Sequence, residues 1–416
     1  MLTIGFEECS LKEAADIYVL NTCTVTEKAD KESRYMINSF RRANPEAKIV
    51  VTGCYVEKDA KDIAVLPGVS HIVKNADKTN LAGILTGTPT AYSLQLKANN
   101  YSSPKITGFK DHTKAFVKIQ DGCENRCSYC KVPLVRGPLK SRPLSAILDE
   151  VKGLVTNGFK EVVLTGICLG AWGREYLSVP IAEAMGMTGA AVTDVLRALD
   201  SIPGDFRIRL SSIEPKYVTD DLIATVRGNR KICRHLHIPL QSGDDEILRK
   251  MNRPYTAAEY RALVEKVRAA IEGVAITTDV MVGFPGESAV HFKNTLDFVR
   301  ELSPARTHIF TFSKRPGTTA YSMEGGIDHY VAKKRYHELE GVSLNAAYLF
   351  TKAHMGDVVK VLVENKREGD SGLLTGYSDN YIKVLFSGPD GLMGRIVPVR
   401  ITEADPATTM GVYDEW

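Results

Sequence analysis

Short apolar runs alternate with polar, helix-compatible stretches over residues 1 to about 90. Asp16-Ile17-Tyr18-Val19-Leu20 predicts a buried parallel strand and Lys48-Ile49-Val50-Val51-Thr52 a second. Between them Lys28–Arg42 is polar with helical spacing and is closed by Asn44-Pro45. Strand, helix, strand predicts a small parallel sheet. Both strands run straight into a cysteine, as Asn21-Thr22-Cys23 and as Gly53-Cys54. The carboxyl ends of parallel strands form a ligand crevice. Cys23 and Cys54 are therefore expected on one sheet edge, either as ligands or as incidental small thiols.

Residues 91–112 are polar, include Asn99-Asn100-Tyr101-Ser102-Ser103-Pro104, and read as a linker. A repeated strand–helix alternation then runs from Lys114 to about Leu302. The expected strands are Ala115–Ile119, Glu161–Leu164, Arg207–Leu210, Leu236–Pro239, Ile276–Val282 and Thr307–Phe312, with helices such as Leu144–Asn157 and Ala257–Ile271 between them. Six strands in βα order predict an open, partial version of the parallel barrel, with its chemistry at the strand C-termini. Over residues 354–404 the pattern changes again. Val358–Glu364 and Tyr381–Phe386 are short strands among glycine-rich turns, which predicts a small β-barrel. The expected domains span 1–92, 110–345 and 352–414.

The chain's 416 residues suffice for such a division, and 44% apolar content can fill the cores. No run approaches the ~18 consecutive apolar residues of a membrane span. The first residues lack the basic start and apolar core of a signal peptide. Eight cysteines, three of them clustered, suggest metal ligation in a reducing cytoplasm rather than disulfides. A net charge of +3 neither demands nor excludes nucleic acid.

The clustered cysteines carry the chemistry. Asp121-Gly122-Cys123-Glu124-Asn125-Arg126-Cys127-Ser128-Tyr129-Cys130 spaces them C-x3-C-x2-C, directly after the first barrel strand, with no fourth cysteine nearby. Structural zinc sites are closed by four protein ligands. Electron-transfer iron–sulfur clusters usually take four thiolates. Three thiolates can hold three irons of a 4Fe-4S cluster and leave one iron open to a small molecule. A zinc knuckle or three incidental thiols are the other readings.

The loop resembles that of the radical S-adenosylmethionine (radical SAM) enzymes. The resemblance implies that Cys123, Cys127 and Cys130 hold a cluster whose open iron binds SAM, which is cleaved to a 5′-deoxyadenosyl radical. The continuation Lys131-Val132-Pro133-Leu134-Val135-Arg136-Gly137-Pro138-Leu139-Lys140-Ser141-Arg142-Pro143 narrows the likeness to the radical SAM methylthiotransferases. Val163–Gly170, Ile208–Pro215, Arg234–Gly243, Thr278–Glu287 and Phe312–Thr318 agree. The resemblance implies a second, auxiliary 4Fe-4S cluster, with Cys23 and Cys54 as two of its three ligands. The family's first ligand motif has no counterpart here, so the chain is expected to be truncated by roughly thirty residues, the auxiliary cluster to be incomplete and Cys9 to be incidental. Cys168 and Cys233 are expected to be buried thiols. Gly166, Glu214, Gln241, Ser242 and Gly283 fall at or past strand C-termini and are expected, as a set, to contact SAM. Arg136 and Arg142 are candidates for a substrate phosphate, the SAM carboxylate or a surface ion pair.

The C-terminal β-segment resembles the TRAM module, an RNA-binding barrel. Residues 352–416 carry seven Lys or Arg against ten Asp or Glu, so no strongly basic face is visible. A local patch is expected from Lys333, Lys334, Arg335, Lys352, Lys366, Arg367, Lys383, Arg395 and Arg400. Arg136-Gly137-Pro138, Leu164-Thr165-Gly166 and Ile208–Pro215 resemble the bacterial branch that acts on N6-threonylcarbamoyladenosine at position 37 of tRNA. The implied partners are the tRNA anticodon stem-loop and an electron donor such as flavodoxin or ferredoxin, with a monomeric, cytoplasmic protein and no membrane. The sister branches, acting on isopentenyl-adenosine or on a ribosomal protein, and a non-catalytic iron–sulfur RNA-binding protein, stay open.

Overall fold

The computed structural model describes residues 6–10, 13–86, 108, 112–176, 190–406 and 408–414. The expected linker at 91–112 falls almost entirely outside them. The chain forms two compact units. The first gathers residues 1–105, 122–138 and 313–322; the second gathers 106–121, 139–312 and 323–416.

In the first unit, β1 (Ile17–Thr22), β2 (Lys48–Gly53) and β3 (Val69–Val73) form a parallel sheet in sequential order. The two expected strands are present, each longer by a residue or more. β3 was not expected: Val69-Ser70-His71-Ile72-Val73 is short and half polar, too weak a pattern to stand out. The helix Glu27–Ala43 starts where the Thr26 side chain accepts from the Ala29 N–H and ends at Asn44 before the proline. Its Ile37 and Phe40 face Tyr18, Ile49 and Val51 of the sheet, with Phe40 stacked on Tyr18 at 4.3 Å between ring centroids.

In the second unit, β4 (Lys114–Asp121), β6 (Glu161–Gly166) and β7 (Arg207–Leu210) are parallel neighbours, and the two-residue β5 (Lys140–Ser141) pairs antiparallel with β4. β8 (His235–His237), β9 (Ala275–Val282) and β10 (Arg306–Thr311) form a second parallel set. Single bridges Ile208↔Ile232 and Ser212↔His237 join the two sets between β7 and β8. All six expected barrel strands are there, in order, and among the described residues β4 and β10 do not pair. The barrel is open on that side.

Strand alternation explains the interior. Ile208, Leu210, Leu236, Ile238, Ile276 and Val280 join the apolar core that the flanking helices cover. Their alternates, Arg207, Arg209, His235, His237, Thr277 and Asp279, lie on the opposite face.

β11 (Val358–Glu368), β12 (Leu373–Tyr377), β13 (Lys383–Phe386), β14 (Ile396–Ala404) and β15 (Thr409–Tyr413) close a five-stranded barrel in the order β11-β12-β13-β15-β14. Val359, Val361, Val363, Val384, Phe386, Val397 and Val399 fill it.

This small barrel is keyed onto the N-terminal ends of the larger barrel's strands. Glu161, at the start of β6, is fully buried and accepts from Arg207 Nε at 2.6 Å and Arg209 Nε at 2.9 Å. The two guanidinium groups continue into the small barrel. Arg207 donates to the Lys360 and Tyr377 carbonyls, and Arg209 to those of Ser378 and Asp379, at 2.8 to 3.0 Å. Tyr381, at φ +67°, stacks on His235 with 4.5 Å between centroids. Burial alone would raise the Glu161 carboxyl, but the Arg209 and Arg207 charges outweigh it and bring it down to about 2. Burial also holds the His235 imidazole well below its ordinary range, so it is neutral.

Candidate functional site

Each cysteine group is placed by a glycine that precedes it. Gly53 ends β2 at φ +105°, and a Cβ there would lie 2.2 Å from the Thr22 carbonyl oxygen. The ends of β1 and β2 therefore meet without side-chain clearance, in the register Thr22↔Gly53. The next residue of each strand is Cys23 or Cys54, so both thiols fall on the C-terminal edge, as the sequence suggested. Cys23 is exposed and Cys54 buried. Gly122 does the same for the loop: at φ +74°, its Cβ would fall 1.8 Å from the Pro138 carbonyl oxygen. The loop closes on itself there, with Cys123 N–H donating to the Gly137 carbonyl at 3.1 Å. Cys130 N–H donates to the Cys127 carbonyl at 3.1 Å, a turn that brings the second and third cysteines round together. All three are half-buried.

The loop and the sheet edge lie in one unit and touch. Arg136 ends the helix Val132–Arg136, and its Nε donates to Cys54 Sγ at 3.1 Å. Lys131, next to Cys130, is buried; its Nζ meets Thr24 Oγ1 and Asp59 Oδ2, each at 3.1 Å. Arg315, from the 313–322 segment, is buried too, donates to Thr24 Oγ1 at 2.8 Å and pairs with Asp30. The Ala320 N–H donates to the Ser128 carbonyl at 2.7 Å, which fastens that segment to the cysteine loop. Three stretches far apart in sequence thus meet: the C-terminal edge of the sheet, the C-x3-C-x2-C loop with its helix, and residues 313–322.

The donor set suits iron–sulfur chemistry. It is all cysteine sulfur, the loop cysteines are only half-buried, and the Cys54 sulfur has an N–H donor of the kind that stabilises ligand sulfur. Among the described residues no three His, Cys, Asp or Glu side chains stand at metal-binding distance from one another. The fit rests on spacing, exposure and the hydrogen bond.

The five residues offered to SAM follow the strand C-termini of the second unit. Gly166 ends β6; a Cβ there would press on the buried Gln120 side chain at 3.1 Å. The Glu214 carboxylate is paired with Arg253. Gln241 bridges to Val280 of β9 at φ +72°. Gly283 N–H donates to Glu287 Oε2 at 2.8 Å. The Ser242 hydroxyl is committed to Thr295 and to the Asp244 N–H. Glu214, Ser242 and the Gly283 N–H thus each have a partner within the protein.

Other expectations change. Arg142 is not a surface pair or an anion holder: it is buried against Glu150 and the Lys118 and Ala146 carbonyls. Arg335 is buried on Glu287 and leaves the expected basic patch. Arg367 and Lys383 are tied to Asp390 and Glu368 of their own barrel, and Arg400 to Asp414. Lys366 and Arg395 stay exposed. Cys168 and Cys233 are buried, as expected; burial pushes the Cys233 thiol up to about 11, so it stays protonated.

Sequence reasoning missed the polar inner face of the barrel. His237 Nε2 stands 3.2 Å from Asp279 Oδ2, its Nδ1 meets Thr277 at 2.9 Å, and His308 lies alongside at 5.5 Å. The signal was the period-two alternation His235-Leu236-His237-Ile238, which puts both histidines on one face.

Comparison with known proteins adds three family matches: the radical SAM superfamily over residues 117–299, the uncharacterized protein family UPF0004 over 1–74 and the TRAM domain over 352–411. The threonylcarbamoyladenosine tRNA methylthiotransferase MtaB of Bacillus subtilis (strain 168) is 36% identical over 409 residues, covering 96% of this chain and 88% of the relative. Its namesake from Thermotoga maritima is 34% identical over 379 residues, covering 90% and 83%. The tRNA-2-methylthio-N(6)-dimethylallyladenosine synthase of Lachnoclostridium phytofermentans is 34% identical over 430 residues, covering 98% and 90%. Among solved structures, the radical SAM methyltransferase TsrM of Kitasatospora setae shares the fold. Its TM-score is 0.53 at 17% identity, over 73% of this chain and 65% of that one.

Proposed function

Since the chain belongs to the radical SAM methylthiotransferases, of the MtaB type, we propose that it adds a methylthio group to carbon 2 of N6-threonylcarbamoyladenosine at position 37 of tRNA. The observation that carries this reading is the gathering of the C-x3-C-x2-C loop and the Cys23/Cys54 edge in one compact unit, joined through Arg136 and Cys54. A sulfur insertion that needs both a radical source and a sulfur donor needs two such thiol groups close together.

Carbon 2 of adenine bears an unactivated hydrogen that no side-chain base removes usefully, so a cofactor must carry that step. When bound, a 4Fe-4S cluster with SAM at its open iron supplies a carbon-centred radical able to take that hydrogen. Cys123, Cys127 and Cys130 hold this first cluster, with Gly122 fixing the start of their loop. Cys23 and Cys54 contribute to the second, sulfur-donating cluster. Gly166, Glu214, Gln241 and Gly283 orient SAM at the strand ends. Electrons come from a carrier such as flavodoxin or ferredoxin.

The small barrel grips RNA through Lys366, Arg395 and backbone groups more than through a charged face. The tRNA is read where its anticodon loop splays out, the usual target of single-strand readers. Among the described residues no helix is long and apolar enough to cross a membrane.

The dimethylallyladenosine-type relatives support a second reading, in which the neighbouring hypermodified adenosine is the substrate. Anaerobically reconstituted protein given SAM, reductant and either tRNA separates the two. Methylthiolation of the threonylcarbamoyl form alone is expected. Methylthiolation of the isopentenyl form alone would move the protein to the sister branch.

A further inference from the structure

The sequence left Arg136 with three uses: a phosphate, the SAM carboxylate or a surface ion pair. The structure gives its Nε–H a different partner, the Cys54 sulfur at 3.1 Å. We infer that Arg136 is a positioning residue that holds the Cys54 sulfur for the sulfur-donating cluster and ties the radical-cluster loop to that ligand. The inference rests on the second-cluster reading proposed above.

Both partners are fixed independently. Arg136 closes its helix with Gly137 at φ +71°, and Gly137 N–H donates to the Pro133 carbonyl. The Gly137 carbonyl in turn accepts from Cys123 N–H. The turn that aims Arg136 is therefore the turn that closes the cysteine loop. On the other side, Gly53 leaves no room for a side chain, so the backbone ahead of Cys54 is held against Thr22. A guanidinium N–H to a thiolate is a charge-assisted bond, about twice as strong as a neutral one. Donors to ligand sulfur also favour the reduced cluster and raise its potential.

The surroundings agree. Lys131 and Arg315 are buried on Thr24, the residue after Cys23, each with a carboxylate partner. The same edge also holds two buried atoms without a hydrogen-bond partner, Arg315 Nε and Asp30 Oδ1. The edge is thus built from cations aimed at the ends of β1 and β2, with Arg136 in contact with the sulfur itself. Cys130 of the first cluster's loop lies just before the helix Val132–Arg136, so one short helix links the two thiol groups. Disturbing Arg136 is then felt at the second cluster, although the residue sits in the first cluster's motif.

The test uses the full chain, reconstituted anaerobically, as wild type, Arg136→Gln, Arg136→Lys and Cys54→Ala. Iron per chain, the rate of iron loss to a chelator and a redox titration followed by electron paramagnetic resonance are measured, with the first cluster's signal as internal reference. Arg136→Gln is expected to lower the second cluster's midpoint potential and to speed its iron loss about tenfold, the size of effect one charge-assisted bond supplies. Arg136→Lys, which keeps a charge but not the fork, is expected to fall between. If Cys54→Ala loses iron while both Arg136 variants match wild type in potential and iron loss, this inference is overturned alone. If Cys54→Ala retains all the wild-type iron, the second-cluster reading falls, and the inference with it.

Discussion

One methyl group at residue 122 decides whether the cysteine loop can close. Gly122 combines a left-handed φ with a Cβ position inside the Pro138 carbonyl. Gly122→Ala is expected to open the loop and lose the first cluster's iron. The melting of the second unit should stay within about 0.5 kcal/mol of wild type, as for a change outside its core. Iron counting beside a thermal melt checks both halves. Cys127→Ala is expected to abolish reductive SAM cleavage to 5′-deoxyadenosine, because two thiolates cannot hold the cluster with one iron free. Undiminished cleavage in that variant would remove the loop from the chemistry. The C-x3-C-x2-C spacing was legible because spacing is a local property of the chain. The partners of Arg136, Arg142 and Arg335 were not, because they come from residues brought close only by folding. Arg142 illustrates this: in sequence it resembles a surface cation, yet it is buried against Glu150, which the helix Leu144–Thr156 turns back towards it.

Among the elements, the strands of the large barrel were all read in order, with ends off by up to two residues, since buried parallel strands leave strong apolar runs. The helix His329–Lys352 went unread. Its buried stripe is Ala332, Arg335, Leu339, Ser343 and Ala346, at helical spacing but mostly small or polar, so hydrophobicity alone does not reveal it. The same blindness hid the inner face of β6, β7 and β8, where Glu161, Arg207 and Arg209 form a buried ion triad. Removing its anion leaves two buried guanidinium groups facing each other. Glu161→Gln is therefore expected to destabilise the second unit by about 3–5 kcal/mol, read from denaturant unfolding. The pH dependence has a definite sign. The folded carboxyl, at about 2, lies below its ordinary value of 4.5. Its stabilisation is present above about pH 4.5 and is lost as pH falls towards 2. His235, held neutral, adds loss of the same sign below its ordinary 6.5. Acid unfolding of the second unit should accordingly be steep, and the portion between pH 4.5 and 2 should shrink in Glu161→Gln.

For the whole molecule, the parallel-sheet start, open barrel and closed β-barrel were all legible in the chain. Two groupings were not. The cysteine loop belongs with the N-terminal sheet, and the small barrel is fastened to the large one by four carbonyl contacts from Arg207 and Arg209. Both depend on contacts between residues 72 to 170 apart in sequence, which local patterns do not encode. The small barrel is therefore not a detachable RNA grip. Deleting residues from Met355 onward is expected to lower the melting temperature of what remains, because it uncovers the ion triad and the His235 ring. A cleaner probe of RNA binding is Lys366→Ala, an exposed change. It should weaken tRNA binding modestly and reduce the salt slope of log K by up to about one, while the melting curve stays unchanged. A lost melt with unaltered salt dependence would remove Lys366 from the RNA contact. The central claim, methylthiolation of the threonylcarbamoyl nucleoside, is tested most directly by nucleoside mass spectrometry of tRNA from cells with and without the gene. The account predicts that 2-methylthio-N6-threonylcarbamoyladenosine disappears without the gene and that its unthiolated precursor accumulates. Loss of the methylthio isopentenyl nucleoside instead, or no change in either, would contradict it.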